Sequence, residues 1–252
     1  IKNDEFYVIK IASGFYENKK LGLPSSQGMM LLFNQKTGQT VSVLLDEGYL
    51  TDVRTAAAGA VAAKYFAPKK IEAIGIIGTG IQAKMQLQYL QKTNPCKKVW
   101  VWGPTTENVI KFKKELESDF EIHVASSPSE VAENCNLIVT TTPSELPLLK
   151  ADDIRPGTHI TAVGSDTSDK QELDSAILQM ADIVISDSVS QSKSRGEIYQ
   201  AVTNGHVSKG KIVELGTALQ NPDLRRKDDQ QISVVDLTGV AVQDIMITKA
   251  VY

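Results

Sequence analysis

The chain has 252 residues, 42% hydrophobic and 23% charged, enough to bury a full core in one large or two small domains. A net charge of -3 gives no reason to expect nucleic acid or an anionic membrane as partner, and the composition excludes collagen-like, disordered and coiled-coil chains. No apolar run approaches the roughly 20 residues that span a bilayer. The only two cysteines, Cys96 and Cys135, offer no disulfide framework, so a cytoplasmic protein is expected.

Ile1 to Glu5 is charged and strand-like, as expected of a chain that continues a longer protein. Phe6 to Ala12, Gly28 to Phe33 and Thr40 to Leu45 read as strands without intervening helices, the last two joined by the hairpin-length loop Asn34 to Gly38. Thr51-Asp52 reads as a helix cap, followed by an Ala-rich helix from Val53 to Phe66 that Pro68 stops. Beyond it, short β-branched runs alternate with helical patterns. Strands are expected at Ala73 to Ile77, Lys98 to Trp102, Ile122 to Val124, Leu137 to Thr141, His159 to Val163, Ile183 to Ser186, near Lys211 to Val213, and at Ile232 to Val235. Helices are expected at Ile81 to Lys92 and Thr106 to Glu117, and from an N-cap at Ser127 with Pro128 at N1 and Glu130 at N3. This alternation predicts an α/β protein: a Rossmann-type, doubly wound parallel sheet over residues 55–238. Residues 1–54 are expected to form a smaller strand-rich domain, to which the helical tail 239–252 returns.

Gly78-Thr79-Gly80-Ile81-Gln82-Ala83 fits G-x-G-x-x-A directly after a strand and opens a helix. In that context Gly78 permits the tight turn, Gly80 lets backbone approach a pyrophosphate, and Ala83 allows helix to pack on strand; the helix N-terminus supplies N–H groups. The acid that would hold an NAD ribose is absent: Gly103 occupies its slot, with Pro104-Thr105-Thr106 following and no arginine for a 2′-phosphate. Thr105 and Thr106 have donors for either cofactor, so NAD and NADP both remain open.

Three charges stand out of place. Lys10 ends the apolar run Phe6 to Ile9. Arg54 lies near the start of a helix, where a cation opposes the macrodipole unless an anion sits between them. A substrate carboxylate would satisfy both. Asp166 follows the strand through Ala162-Val163, outside the carboxyl end of a parallel strand, where open α/β sheets place their ligands. His123 and His159, on strands, read as packed or rim residues; His206 reads as a turn residue; the cysteines show no metal spacing.

Six stretches, in order along almost the whole chain, give the sequence a likeness: Lys10 with Gly22 to Gly28, Leu50 to Ala58, Ile76 to Gly80, Val139 to Thr142, Ala162 to Asp166 with Lys170 to Asp174, and Thr238 to Asp244. On these residues the chain resembles the ornithine cyclodeaminase/mu-crystallin family, which includes alanine dehydrogenases and cyclic ketimine reductases. The resemblance implies a homodimeric NAD(P) enzyme acting on a small amino acid or cyclic imine, with residues 1–54 as its substrate-binding and dimerisation domain. It implies that Lys10 and Arg54 bind the substrate carboxylate, Arg54 also lying near the cofactor, and that Asp166 is the acid/base at the amine. By the same resemblance Gly78, Thr79, Gly80, Ile81, Gln82, Thr141 and Val163 line the dinucleotide, Ser26 sits near the nicotinamide and Thr238 near the substrate. Asp166 speaks for the cyclodeaminase and alanine-dehydrogenase branches; a non-catalytic, mu-crystallin-like NADPH binder is the contrasting reading. The family's segment upstream of Lys10, which carries another substrate-binding arginine, does not appear before this Lys10.

Overall fold

The computed structural model describes residues 4–24 and 26–252. Ile1 to Asn3 of the expected charged opening, and Ser25 of the Gly22 to Gly28 stretch, lie outside the described residues. The chain divides into two compact units, Ile1–Thr55 with Val240–Tyr252, and Ala56–Gly239.

In the smaller unit β1 (Phe6–Gly14), β2 (Ser26–Asn34) and β3 (Thr40–Leu44) form an antiparallel sheet in that order. The Asn34 side chain turns the hairpin by accepting from the N–H groups of Lys36 and Thr37, at 2.9 and 3.0 Å. Gly38 then takes a positive φ of 70°. Side chains alternate along β1: Phe6, Val8 and Lys10 are half-buried, whereas Tyr7, Ile9 and Ile11 are exposed.

Helix α1 (Tyr49–Phe66) begins earlier than its composition predicts. Asp46, not Thr51-Asp52, starts it: its carbonyl accepts from Tyr49 N–H and its carboxylate from Leu50 N–H at 2.8 Å. Thr51 and Asp52 are thus inside the helix, and Arg54 lies in the second turn rather than the first.

The larger unit is built on eight strands, all paired in parallel. In chain order they are β4 (Ile74–Ile77), β5 (Lys98–Trp102), β6 (Glu121–Val124), β7 (Leu137–Thr140), β8 (His159–Ala162), β9 (Ile183–Ser186), β10 (Ile212–Glu214) and β11 (Ser233–Asp236). Their order across the sheet is β10-β9-β11-β8-β7-β4-β5-β6. Crossover helices include α2 (Ile81–Leu90), α3 (Thr106–Leu116), α4 (Pro128–Asn134), α5 (Ser175–Met180), α6 (Glu197–Thr203) and α7 (Leu215–Gln220). Central strands β4, β7, β8, β9 and β11 are buried throughout, as expected of parallel strands covered on both faces. Val109, Phe112 and Leu116 form the buried stripe of α3, and Ser127 caps α4 by accepting from Glu130 N–H at 3.1 Å. The last helix, α8 (Ala241–Val251), returns to the smaller unit and packs on β1.

The chain runs from β4 outward through β5 and β6, then crosses back to β7 on the other side of β4. The switch point of the sheet is therefore between β4 and β7, where a doubly wound sheet opens a crevice at its carboxyl edge.

Candidate active site

Gly78 leaves β4 at that switch point with φ 119°, a conformation that favours glycine. A Cβ here would lie 2.5 Å from Thr141 Oγ1, so Gly78 and Thr141 meet across the crevice between β4 and β7. Gly80 is the N-cap residue of α2 and has no side chain with which to cap it. Nothing lies within 4 Å of the Cβ that Gly80 lacks. The first turn of α2, with Ile81 and Gln82, thus presents backbone N–H groups and positive potential beside open space, the requirement for a pyrophosphate. Gly103, at the end of β5, is set against the same turn: a Cβ would come 2.8 Å from the Thr79 methyl. A side chain at Gly103 would be crowded by Thr79 and Val109. Thr105 is the N-cap residue of α3, yet its hydroxyl caps none of that helix's N–H groups. Val163 follows β8 and donates from its N–H to Thr140 O at 3.0 Å.

Asp166 stands on the loop leaving β8. Its side chain is 55% exposed and accepts from Lys170 Nζ at 2.6 Å. Thr238, just past β11, is buried; its hydroxyl donates to Asp187 at 3.1 Å and accepts from Gln191 Nε2 at 2.7 Å. In the smaller unit Ser26 opens β2, its Oγ 3.6 Å from where Gly48 would carry a Cβ.

Lys10 and Arg54 come together in the smaller unit on a residue that charge reasoning had not assigned. Both donate to one oxygen of Asp244, Lys10 Nζ at 3.1 Å and Arg54 Nε at 3.2 Å. Arg54 Nη1 also donates to Gln243 at 2.8 Å. The side chains of Lys10, Arg54 and Asp244 are 19%, 13% and 13% exposed, so the group is sheltered without being sealed. Asp244 sits in the first turn of α8, where a carboxylate complements the helix dipole. The anion expected between Arg54 and its surroundings is thus first an internal one. The signal that pointed to Asp244 was present in the sequence, as an acid at the start of an apolar helical tail. Two cations facing one carboxylate leave a net positive charge for a further anion.

The ornithine cyclodeaminase/mu-crystallin family pattern matches residues 2–252. The chain belongs to this family. Among its relatives is an uncharacterized cyclodeaminase of Sinorhizobium fredii, 38% identical over 249 residues that cover 98% of this chain and 75% of that one. Of solved structures, an archaeal alanine dehydrogenase dimer with bound NAD superposes with a TM-score of 0.92 at 35% identity, covering 98% of this chain and 77% of that one. The Δ1-pyrroline-2-carboxylate reductase of Thermococcus litoralis, in complex with NADH and L-proline, gives 0.90 at 31% identity over 96% and 76%.

In this member of the family a set of carboxylates lies sealed beneath the loops of the larger unit. Glu172, Glu197 and Asp236 are at most 1% exposed, and Asp187 is nearly as buried. Burial pushes the carboxyl groups of Glu172 and Asp236 up to about 7, and raises Glu197 well above the usual carboxylate range, with Glu172 and Asp236 as further, like-charged causes. Asp187 is raised by burial as well. Periodicity could not identify them, because each lies in a loop, at a helix start or at a strand end.

These shifts set the direction of a pH dependence. A carboxyl group whose pKa is higher folded than unfolded retains a proton that the unfolded chain has released. Its contribution to stability is complete below the unfolded value near 4, and is lost as pH rises through about 7. Each retained proton contributes a slope of about 1.4 kcal/mol per pH unit. The melting temperature is therefore expected to fall between pH 5 and pH 8, and Glu197→Gln is expected to flatten that fall. Scanning calorimetry across this range checks both; a melting temperature that rises over it contradicts the assignment.

The histidines are structural. His159 is buried between Ser233 Oγ and Thr161 Oγ1, at 2.8 and 2.9 Å, and burial holds it neutral with a pKa pushed down to about 3. His123 stacks on Trp100 with ring centroids 5.0 Å apart, and His206 faces Gln179 at 2.8 Å. Cys96 and Cys135 are free thiols, and burial pushes Cys135 up to about 12, far from a reactive thiolate. Among the described residues no cluster has the makings of a metal site, and no helix is long and apolar enough to cross a membrane.

Proposed function

We propose that the chain is an NAD(P)-dependent enzyme acting at the Cα–N bond of a small amino acid, in the manner of an ornithine cyclodeaminase. The observation that carries this reading is the convergence of Lys10 and Arg54 on a single carboxylate oxygen. Two sheltered cations already arranged around one carboxylate are suited to take the α-carboxylate of a substrate, Arg54 by a forked pair of charge-assisted hydrogen bonds.

The crevice residues fit the dinucleotide. The uncapped start of α2 and the open space at Gly80 would hold the pyrophosphate, with Gly78, Thr79, Ile81 and Gln82 as the surrounding residues. Gly103, Thr105, Thr141 and Val163 would hold the rest of the dinucleotide, and Ser26 and Arg54 of the smaller unit are assigned to the cofactor by the family resemblance alone. When bound, the nicotinamide supplies the hydride acceptor or donor for the substrate Cα. The protein's own residues hold and prepare the substrate. Lys10 and Arg54 fix the carboxylate and hence the direction of the Cα–H bond, and Thr238 flanks the substrate. Asp166 takes a proton from the ammonium, which must be neutral before the Cα–N bond can become an imine. With ornithine the δ-amine would add to the imine carbon and expel ammonia, and the hydride removed from Cα would be returned to give proline. With an open-chain substrate water would add instead and release ammonia and a keto acid.

The reverse direction, reduction of a preformed cyclic imine, is the second reading, and an alanine-type dehydrogenase is its open-chain counterpart. The structural likeness to a reductase holding NADH and L-proline favours keeping it. The exposed apolar row Tyr7, Ile9 and Ile11 supports a homodimer, and the free thiols support a cytoplasmic location.

A substrate panel tests the proposal: L-ornithine and L-alanine with NAD or NADP, and pyrroline-2-carboxylate with NADH or NADPH. Proline and ammonia from ornithine with catalytic nucleotide are expected. Reduction of the cyclic imine alone would move the chain to the reductase reading, and nucleotide binding without turnover of any member would make it a mu-crystallin-like binder.

A further inference from the structure

Glu172 lies on the return from the Asp166 loop and has no role in the chemistry above, yet its carboxylate accepts four hydrogen bonds. One oxygen accepts from the Thr142 N–H at 2.5 Å and the Thr142 hydroxyl at 2.8 Å. The other accepts from the Thr140 hydroxyl at 2.7 Å and the Gly164 N–H at 2.8 Å. The first oxygen therefore holds the turn leaving β7, which carries Thr141. The second joins the end of β7 to the turn leaving β8, which carries Val163 and Asp166.

Glu172 is itself held from both sides. Its backbone N–H donates to Glu197 at 2.7 Å, and its carbonyl accepts from the N–H groups of Leu148 and Leu149, at 2.8 and 3.2 Å. The two turns are also in direct contact. A Cβ on Gly164 would lie 2.6 Å from Thr142 N and 2.7 Å from Glu172 Cδ, so only glycine lets the backbones approach this closely.

We infer that Glu172 is a positioning residue that locks the nucleotide-lining turn after β7 to the Asp166-bearing turn after β8, setting cofactor and acid/base in one register. Its nucleotide half rests on the crevice geometry, and its Asp166 half rests on the function proposed above. The isosteric change Glu172→Gln tests it. Each oxygen of Glu172 meets one backbone N–H and one hydroxyl. A hydroxyl can rotate to accept from an amide –NH2, but a backbone N–H cannot, so Gln must release either Thr142 or Gly164.

In the full-length chain, Glu172→Gln is expected to weaken NADH binding at least tenfold by calorimetric titration while the variant still melts cooperatively. At saturating nucleotide, in the oxidation state its substrate requires, its turnover falls, and combining it with Asp166→Asn costs no more than Asp166→Asn alone, because both changes act through the same group. Losses that multiply would overturn the Asp166 half. An unchanged NADH affinity in the folded variant would overturn the lock itself, even if the wild-type chain turned over none of the panel substrates. Should Glu172→Gln not fold, Thr140→Val removes the hydroxyl that donates to the Glu172 oxygen joining the two turns, and leaves the backbone donors Thr142 and Gly164 in place. It is expected to weaken NADH binding by a similar factor, and unchanged binding there would equally overturn the proposal.

Discussion

Asp166→Asn is expected to lower kcat by about 10²–10⁴-fold, the range of a general-base step, while NADH binds within about twofold of wild type. Asparagine keeps the size and one acceptor oxygen of the side chain but cannot take a proton from an ammonium. Asp166 is open to solvent and paired with Lys170, so little buried structure depends on it and the fold survives the change. In the larger unit the residues proposed for the nucleotide lie on the turns after β4, β5 and β7 and at Val163, and the Asp166 side chain is not among them. Steady-state kinetics on whichever panel substrate is turned over, with a parallel NADH titration, checks the split. Unchanged kcat would remove the acid/base role and leave Asp166 as a loop residue held by Lys170.

Arg54→Lys is expected to raise the KM for the amino acid by about 10–100-fold, with a smaller change in kcat. Each charge-assisted hydrogen bond contributes about 1.5–3 kcal/mol, and lysine forfeits the second arm of the fork. Arg54 already spends Nε on Asp244 and Nη1 on Gln243. Those two contacts fix the guanidinium plane, so its remaining N–H groups are aimed before substrate arrives, and a flexible ammonium loses that aim. Because lysine keeps the positive charge, NADH affinity is expected to change by less than about threefold. A KM within twofold of wild type would sever Arg54 from the substrate carboxylate.

Much of the larger unit was legible because its signals are local. Ser127-Pro128-Ser129-Glu130 marks the start of α4 by capping chemistry confined to four residues, and Val109, Phe112 and Leu116 announce the buried face of α3 by spacing alone. Gly78 and Gly80 are legible for the same reason: positive φ and close approach are demands on a single backbone position. The start of α1 was misplaced because two capping sequences compete there. Asp46 bonds the N–H of Leu50, and nothing in the tripeptide around Thr51 reveals that an earlier carboxylate has already begun the helix.

The site was legible in part. Lys10 and Arg54 drew attention as cations in apolar or helix-start settings, and the structure places them on one carboxylate. That carboxylate, Asp244, lies 234 residues from Lys10 in sequence, and no local rule couples the two.

By itself the sequence determined the alternation of strand and helix, the glycine turn and its uncapped helix, and the family. These follow from side-chain periodicity and backbone sterics acting over a few residues. Only the tertiary structure decided which acids are buried. The sheet inserts β11 between β8 and β9, and the ends of α6 and β11 close over the Glu172 loop from 25 and more residues away. Three carboxylates thereby lose water together, and what a carboxylate becomes when buried is set by the neighbours that the fold supplies rather than by those beside it in the chain.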